Sequence, residues 1–259
     1  MKSILDSYFN SGVRNEKMFG LKDGFIPSGT LAEAELEILN EKLKNYFCEI
    51  ANDFSPTLSN DVEKNGLLNL HHIIDDDIHL KLLNKQNRIL PTSIVEFLKT
   101  TSFFKEMENV FGKYYLADEE EIGREQICFR IVRPSKKTDI GSWHKDSWFW
   151  NQYKFKKPVD VGRVKGWSQI GGSPELSGLS FVPKTHLKKI EYDTKHEDGK
   201  LSFVPDSSVD FAEKVTFSGL LGQFVLFNYD ILHVGAPNLS ESCRISIETT
   251  FCFKQVSLS

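Results

Sequence analysis

Cysteine is scarce in this chain of 259 residues. Only Cys48, Cys128, Cys243 and Cys252 occur, and no pair has the C-x-x-C spacing. Free thiols in a reducing compartment are therefore expected rather than a disulfide-stapled scaffold. Long hydrophobic runs are also missing, and nothing approaches the ~20 apolar residues that cross a bilayer. The opening Met1-Lys2-Ser3-Ile4-Leu5-Asp6 meets an acid at once and builds no apolar signal core, so a cytoplasmic location is expected. There is no excess of positive charge. A formal net charge of −4 gives no reason to expect nucleic acid or an anionic membrane as partner. Repeats, low-complexity tracts and dividing linkers are absent too, and nothing specifies an oligomeric state. What is present, 40% hydrophobic and 26% charged residues, suits one globular domain over residues 1–259 with a sizeable core.

The apolar pattern changes period part-way along. Thr30 with Glu33 reads as a capping box, after which Leu36, Leu39, Leu43, Tyr46, Phe47 and Ile50 recur at helical spacing. Ser93 with Glu96 repeats the device before Phe97, Leu98, Phe104 and Met107, and Gly112 supplies a stop. Between them, residues 69–85 carry His71, His72 and Asp75-Asp76-Asp77, which read as a loop with a solvated charge run. From about Glu125 the period is two. Residues 127–133, 164–170, 179–182, 215–217, 224–227 and 245–253 read as strands between Gly, Pro, Ser and Asn clusters, and 191–210 as an inserted hairpin or loop. The fold expected is mainly β with flanking helices. A helical region to about residue 120 precedes a double-stranded β-helix (a jelly roll, cupin-like) over about 125–253, with one mouth open to ligands.

The seven histidines include two H-x-D pairs, His144-Lys145-Asp146 and His196-Glu197-Asp198. The second lies in a polar run closing on Gly199 and reads as a solvated turn. The first is flanked by Trp143 and Trp148, as expected of an enclosed ligand site. Alternation along a strand would let His144 and Asp146 reach one metal from one face. His233 would add a second imidazole, and two imidazoles with one carboxylate are the set expected for non-haem Fe(II). Arg244, eleven residues beyond His233, carries the planar fork that best suits a carboxylate.

All four tryptophans fall between Trp143 and Trp167, with Phe149, Tyr153 and Phe155 among them. Core packing is one reading. If the strand continues past Asp146, Trp148 and Trp150 share its face, and Trp150 would wall the metal and cosubstrate site. Arg130, on the strand before the motif, is placed either against a carboxylate of cosubstrate or substrate or in a surface ion pair. Asn238 is expected to fix the turn between His233 and Arg244.

These residues occur in an order that resembles the phytanoyl-CoA dioxygenase family of Fe(II)- and 2-oxoglutarate-dependent oxygenases, over roughly residues 125–253. The resemblance rests on His144-x-Asp146, on Gly178-Leu179-Ser180-Phe181-Val182-Pro183-Lys184-Thr185-His186, and on His233-Val234-Gly235-Ala236-Pro237-Asn238-Leu239-Ser240 followed by Arg244. It implies Fe(II) held by His144, Asp146 and His233, and 2-oxoglutarate paired with Arg244. It also implies O2 as cosubstrate, ascorbate as an optional reductant, and a small-molecule substrate that is hydroxylated as succinate and CO2 are released. Trp167 resembles a tryptophan on the family's next core strand. Two positions depart from the pattern: Gly235 stands where many relatives have Ser or Thr, and Lys184 where they often have Gly. Halogenating relatives lack the carboxylate, so the presence of Asp146 argues against halogenation. A cupin-like Zn(II) or Mn(II) hydrolase or isomerase, and a non-catalytic jelly-roll binding protein, are the other classes compatible with the ligands.

Overall fold

In the computed structural model of the protein, which describes residues 22–152, 161–197 and 200–254, a helical layer covers one face of a large antiparallel sheet. Strand β1 (Phe25–Thr30) leads into helices α1 (Glu33–Phe54), α2 (Pro56–Asn65), α3 (Asp76–Leu82), α4 (Thr92–Lys99) and α5 (Ser102–Phe111). Strands β2 (Tyr114–Leu116) and β3 (Cys128–Val132) follow, then the short helix α6 (Asp146–Gln152) and the long strand β4 (Val161–Gly171). After β5 (Leu179–Val182) comes the hairpin β6 (Tyr192–Glu197) and β7 (Lys200–Pro205). Strands β8 (Val215–Phe217), β9 (Gln223–Phe227), β10 (Leu232–Gly235) and β11 (Arg244–Lys254) complete the chain. The six-stranded sheet runs β1-β9-β4-β11-β2, with β3 also paired to β11, and a second sheet runs β10-β5-β8.

Period-two alternation gives the large sheet two different faces. Val164 and Ile170 of β4, Phe224 and Leu226 of β9, and Ile245, Ile247, Phe251 and Phe253 of β11 pack into the helical core. There Phe103 stacks on Phe224 at 3.8 Å, and Phe104 tilts against Phe251 at 5.4 Å. Burying each such phenylalanine contributes about 1.5–3 kcal/mol. The alternate residues face the second sheet: Trp167, Val225 and Phe227 pack with Leu179, Phe181 and Phe217. Gly178, at φ 139, abuts this layer so closely that a Cβ there would lie 2.2 Å from the Phe217 carbonyl.

The strand expectations stand, with small changes at their ends, and β5 and β8 match the expected bounds. The inserted hairpin is β6 and β7, paired over Tyr192 to Glu197. The helices need three corrections. Thr30 is drawn into β1 opposite Gln223, so α1 starts later, and Glu35 rather than Glu33 reaches back, accepting from the Ala32 N–H at 2.8 Å. The single helix expected from Ser93 is two, α4 and α5. Thr100 and Thr101 turn their hydroxyls onto the Phe97 and Leu98 carbonyls (2.7 and 2.6 Å) and end the first. Residues 69–85 are not a loop. A 3-10 helix, Leu67–His72, is followed by α3, which Asp75 caps by accepting from the Ile78 N–H at 2.8 Å. His79 is buried, and Asp76 pairs with Arg133 at 2.8 Å and with Lys136.

Candidate metal centre

His144 and His233 meet through their backbones. The N–H of each donates to the carbonyl of the other (3.1 and 2.9 Å), an isolated antiparallel bridge that extends the second sheet beyond β10. A hydrogen-bonded pair of this kind puts both side chains on the same side of the sheet. His233 lies opposite Phe181 in the β10–β5 register, which directs it between the two sheets. Asp146 arrives differently from the strand reading. The Asp146 and Ser147 N–H groups donate to the Tyr229 carbonyl, the chain turns, and Asp146 becomes the first residue of α6. Alternation therefore does not continue into Trp148 and Trp150, and the expectation that a strand carries them is corrected. Trp148 stacks on Tyr192 at 4.3 Å. Trp150 lies 4.9 Å from Tyr229, with the Arg163 guanidinium 4.9 Å over its ring. Tyr153 and Phe155 fall outside the described residues.

Each imidazole is fixed by a carbonyl. His144 Nδ1 donates to the Ser142 carbonyl at 2.7 Å, and His233 Nδ1 to the Ile231 carbonyl at 3.0 Å. A carbonyl only accepts, so in the neutral ring each Nε2 keeps its lone pair. Burial keeps both rings neutral. It pushes His144, with help from the neighbouring His233, and His233 down to about 4. His144 Nε2 lies 4.0 Å from Asp146 Oδ1 and His233 Nε2 3.9 Å from Asp146 Oδ2, and Oδ2 is buried without a partner among the described residues. These residues form the one metal-capable group of three or more among the described residues, with all donor atoms within 4.8 Å. Donors about 4 to 4.8 Å apart leave a common centre roughly 2.3 to 2.8 Å from each, a small rotamer adjustment from metal bonds of about 2.0–2.2 Å. Orphaned oxygen, free lone pairs and spacing all fit a metal ion.

The segment between the ligands is braced. Lys145 Nζ donates to the carbonyls of Thr185 and Lys188 (2.8 and 2.9 Å), and Ser147 Oγ bonds Asp230. Phe227 (4.9 Å), Phe181 (6.2 Å) and, against His144, Phe149 (5.0 Å) line the imidazoles with rings.

Arg244 opens β11 and points to the same side of the sheet, 3% exposed. Its Nη1 donates to the carbonyls of Gly178 and Ala236 (2.7 and 2.6 Å), while Nε is buried with no partner among the described residues. The anchored corner leaves the Nε–Nη2 edge, the one that grips a carboxylate with two parallel bonds. Gly235 explains part of this placement, because a Cβ there would lie 3.0 Å from Nη2. Lys184 adopts the left-handed region (φ 64, ψ 1), so a residue with a Cβ stands where glycine would be unstrained. Asn238 fixes the turn as expected, donating to the carbonyls of Val132 and Ser242 and accepting from Ser240.

Alternation also brings in charges that the sequence reading passed over. On β4, Lys165 lies 4.0 Å from Asp146 and 3.4 Å from Glu119. On β11, Glu248 accepts from Arg130 Nε and Nη2 (3.1 and 3.0 Å), so the Arg130 pair sits on the metal side of the sheet. Burial pulls Glu248 up, but Arg130 and Lys165 outweigh it and hold it down to about 2. Burial opposes the charge of Lys165, yet Asp146, Glu119 and Glu248 raise it above the ordinary amine value. Burial pushes Asp146 up to about 6 against the pull of Lys165. The signal for Lys165 and Glu248 was a charge at an alternate position of a strand apolar on its other face. Trp167 shares the Lys165 face, 6.4 Å from Phe217. His196 is exposed on β6, and Asp198 lies outside the described residues.

No helix among the described residues is long and apolar enough to cross a membrane. A search of curated proteins found no match to the chain. Among solved structures, the apo form of ThoJ, a non-heme monooxygenase, aligns with a TM-score of 0.54 and 14% identity over 90% of this chain and 75% of that one. EctD from S. alaskensis, solved with 2-oxoglutarate and 5-hydroxyectoine, aligns with a TM-score of 0.53 and 15% identity over 91% and 73%. At these identities the likeness is one of fold. The family description Phytanoyl-CoA dioxygenase (PhyH) matches residues 22–246, a span holding every strand up to the start of β11, the His144–Asp146–His233 cluster and Arg244, and the chain belongs to that family.

Proposed function

We propose that the protein is an Fe(II)- and 2-oxoglutarate-dependent dioxygenase that hydroxylates a small-molecule metabolite, built as one domain on a jelly-roll core and working in the cytoplasm. The convergence of His144 Nε2, Asp146 and His233 Nε2 on one point carries this reading. Family membership and the 2-oxoglutarate-bound state named for EctD support the choice of metal and cosubstrate. When bound, Fe(II) with 2-oxoglutarate and O2 supplies oxidative decarboxylation to succinate and CO2, coupled to removal of hydrogen from the substrate.

The chain's own residues prepare that chemistry. The Ser142 and Ile231 carbonyls hold the imidazoles as neutral ligands, so protons do not compete for the lone pairs at neutral pH. Asp146 supplies the single carboxylate, and Lys165 offsets its charge from the far side. Arg244 presents its Nε–Nη2 edge to the distal carboxylate of 2-oxoglutarate. Phe149, Phe181 and Phe227 exclude water around the ligands, with Trp167 and Trp150 as walls further out and Arg130 facing the substrate side.

His144→Ala, Asp146→Ala and His233→Ala are each expected to lose Fe(II) binding and succinate formation while keeping the fold, and His196→Ala to keep both. Iron content and 2-oxoglutarate turnover to succinate measure this. A wild type that forms no succinate across a panel of metabolites, amino-acid derivatives, sugars and acyl thioesters would sink the proposal in favour of a cupin-like hydrolase or a binding protein.

A further inference from the structure

Arg88 has no role in the chemistry above, yet it is poorly accommodated as a structural residue. It precedes the Ile89–Cys128 bridge beside β3, and its backbone carbonyl accepts from the Phe129 N–H at 2.9 Å. Its Nε is fully buried and has no hydrogen-bond partner among the described residues. Leaving a buried cationic donor unpaired is unfavourable, because the hydration it loses is not replaced. The neighbouring Arg130 does not help it. The two guanidinium groups repel, and that repulsion, ahead of burial, holds Arg88 down to about 10. Glu248 is the carboxylate that acts most strongly on both, and Arg130 already takes its Oε1 with two donors. Arg130 keeps 42% of its side chain accessible although it points to the metal side of the sheet, so Arg130 borders open space, with Arg88 half-buried beside it.

The charges around the centre leave a remainder. Arg88, Arg130, Lys165 and Arg244 are the cations, and Glu119, Asp146 and Glu248 the carboxylates. Bound Fe(II) and the 2-oxoglutarate dianion cancel each other, and Glu120 is neutralised by Lys85. One positive charge is left over.

We propose that Arg88 and Arg130 form a receptor for a carboxylate group of the substrate that is oxidised, so that the substrate class is a small carboxylic acid. The proposal rests on the oxygenase reading and adds to it. Arg130 lies in the electrostatic field of Asp146, His144 and His233, and Arg88 in that of Arg130 and Glu248. A carboxylate held there anchors one end of the substrate and leaves the rest of its chain to run past Arg130 to the metal. It also gives Arg88 a counter-charge that Glu248, already taken by Arg130, does not supply, and it relieves the repulsion between the guanidinium groups.

The test uses full-length protein loaded anaerobically with Fe(II) and 2-oxoglutarate, and calorimetric titration with acids each paired with its primary amide: N-acyl amino acids, aryl acids and medium-chain fatty acids. Charged hydrogen bonds of this kind predict at least one acid bound roughly 10- to 100-fold more tightly than its amide. Arg88→Gln is expected to erase that preference. Arg88→Lys, which keeps the charge without the fork, is expected to retain part of it and guards against a variant that loses its fold. Acids bound no better than amides, or a preference that survives in Arg88→Gln, overturns the proposal. The 2-oxoglutarate titration of the wild type tests the oxygenase reading by itself. A wild type that binds 2-oxoglutarate without preferring acids sinks only the carboxylate receptor, and one that binds no 2-oxoglutarate sinks both.

Discussion

Replacing Arg244 separates cosubstrate binding from every question about the substrate. One corner of its guanidinium is tied to the Gly178 and Ala236 carbonyls, and the edge with the unpartnered Nε is free for a carboxylate. Two charge-assisted bonds in a site where Arg244 is 3% exposed are worth about 2–4 kcal/mol when one partner is truncated. That corresponds to roughly 30- to 1000-fold in affinity for 2-oxoglutarate. Arg244→Ala is therefore expected to raise the 2-oxoglutarate requirement by that factor while Fe(II) binding stays nearly intact, because the ligands are set by other strands. Arg244→Lys is expected to recover only part, since a point charge cannot span both carboxylate oxygens. Arg244→Ala also leaves two buried carbonyls without a donor, at about 1–3 kcal/mol each, so thermal unfolding must accompany each titration. The assay is the visible charge-transfer band that forms when Fe(II) and 2-oxoglutarate bind without oxygen. An Arg244→Ala protein that is folded, binds iron and titrates like the wild type would refute the assignment of this residue.

Two further substitutions test the frame that holds the site. Lys184→Gly is expected to stabilise the protein by about 0.5–1 kcal/mol, since the left-handed conformation costs a residue with a Cβ about 1–2 kcal/mol and glycine repays part of that in chain entropy; a Tm that fails to rise by about 1–4 °C counts against it. Asp139→Asn is expected to cost about 3 kcal/mol by unfolding in denaturant, because buried Asp139 takes Arg133 Nε and Nη2 at 2.9 and 2.8 Å. Burial pulls the Asp139 carboxyl up, but Arg133 more than offsets this and leaves it below the ordinary value. The stabilisation is thus present above the ordinary carboxyl pKa and is lost as pH falls through the folded value, so the gap between wild type and Asp139→Asn must close in acid, and a gap that widens there would contradict the pairing.

Much of the centre was legible from side-chain chemistry alone. An H-x-D pair among aromatics, a distant histidine and a following arginine are rare in that order, and the period-two text of 179–182 and 215–217 needs only local alternation to be read as strand. Gly235 and Lys184 were also visible as departures, and the structure gives each a local meaning, one against a guanidinium and the other in a left-handed turn. The strand expected to carry His144, Asp146 and the tryptophans was a local reading that tertiary contacts overrode. The Tyr229 carbonyl, more than eighty residues away in sequence, captures two successive N–H groups and turns the chain into a helix at Asp146. The same holds for α1, whose start is set by β1 pairing with β9 across the molecule. The charge cluster was the least legible part. Arg88, Arg130, Lys165 and Glu248 lie on four separated stretches; Arg130 alone was legible as a carboxylate contact or an ion pair, and the other three read as ordinary surface charges. Only the register of β3, β4 and β11 puts Arg130, Lys165 and Glu248 on one face, and the Ile89–Cys128 bridge brings Arg88 beside them. Residue type and period are local quantities that a sequence carries in full. Which buried charges face each other depends on strand register, which is set by backbone hydrogen bonds between segments that the sequence keeps far apart.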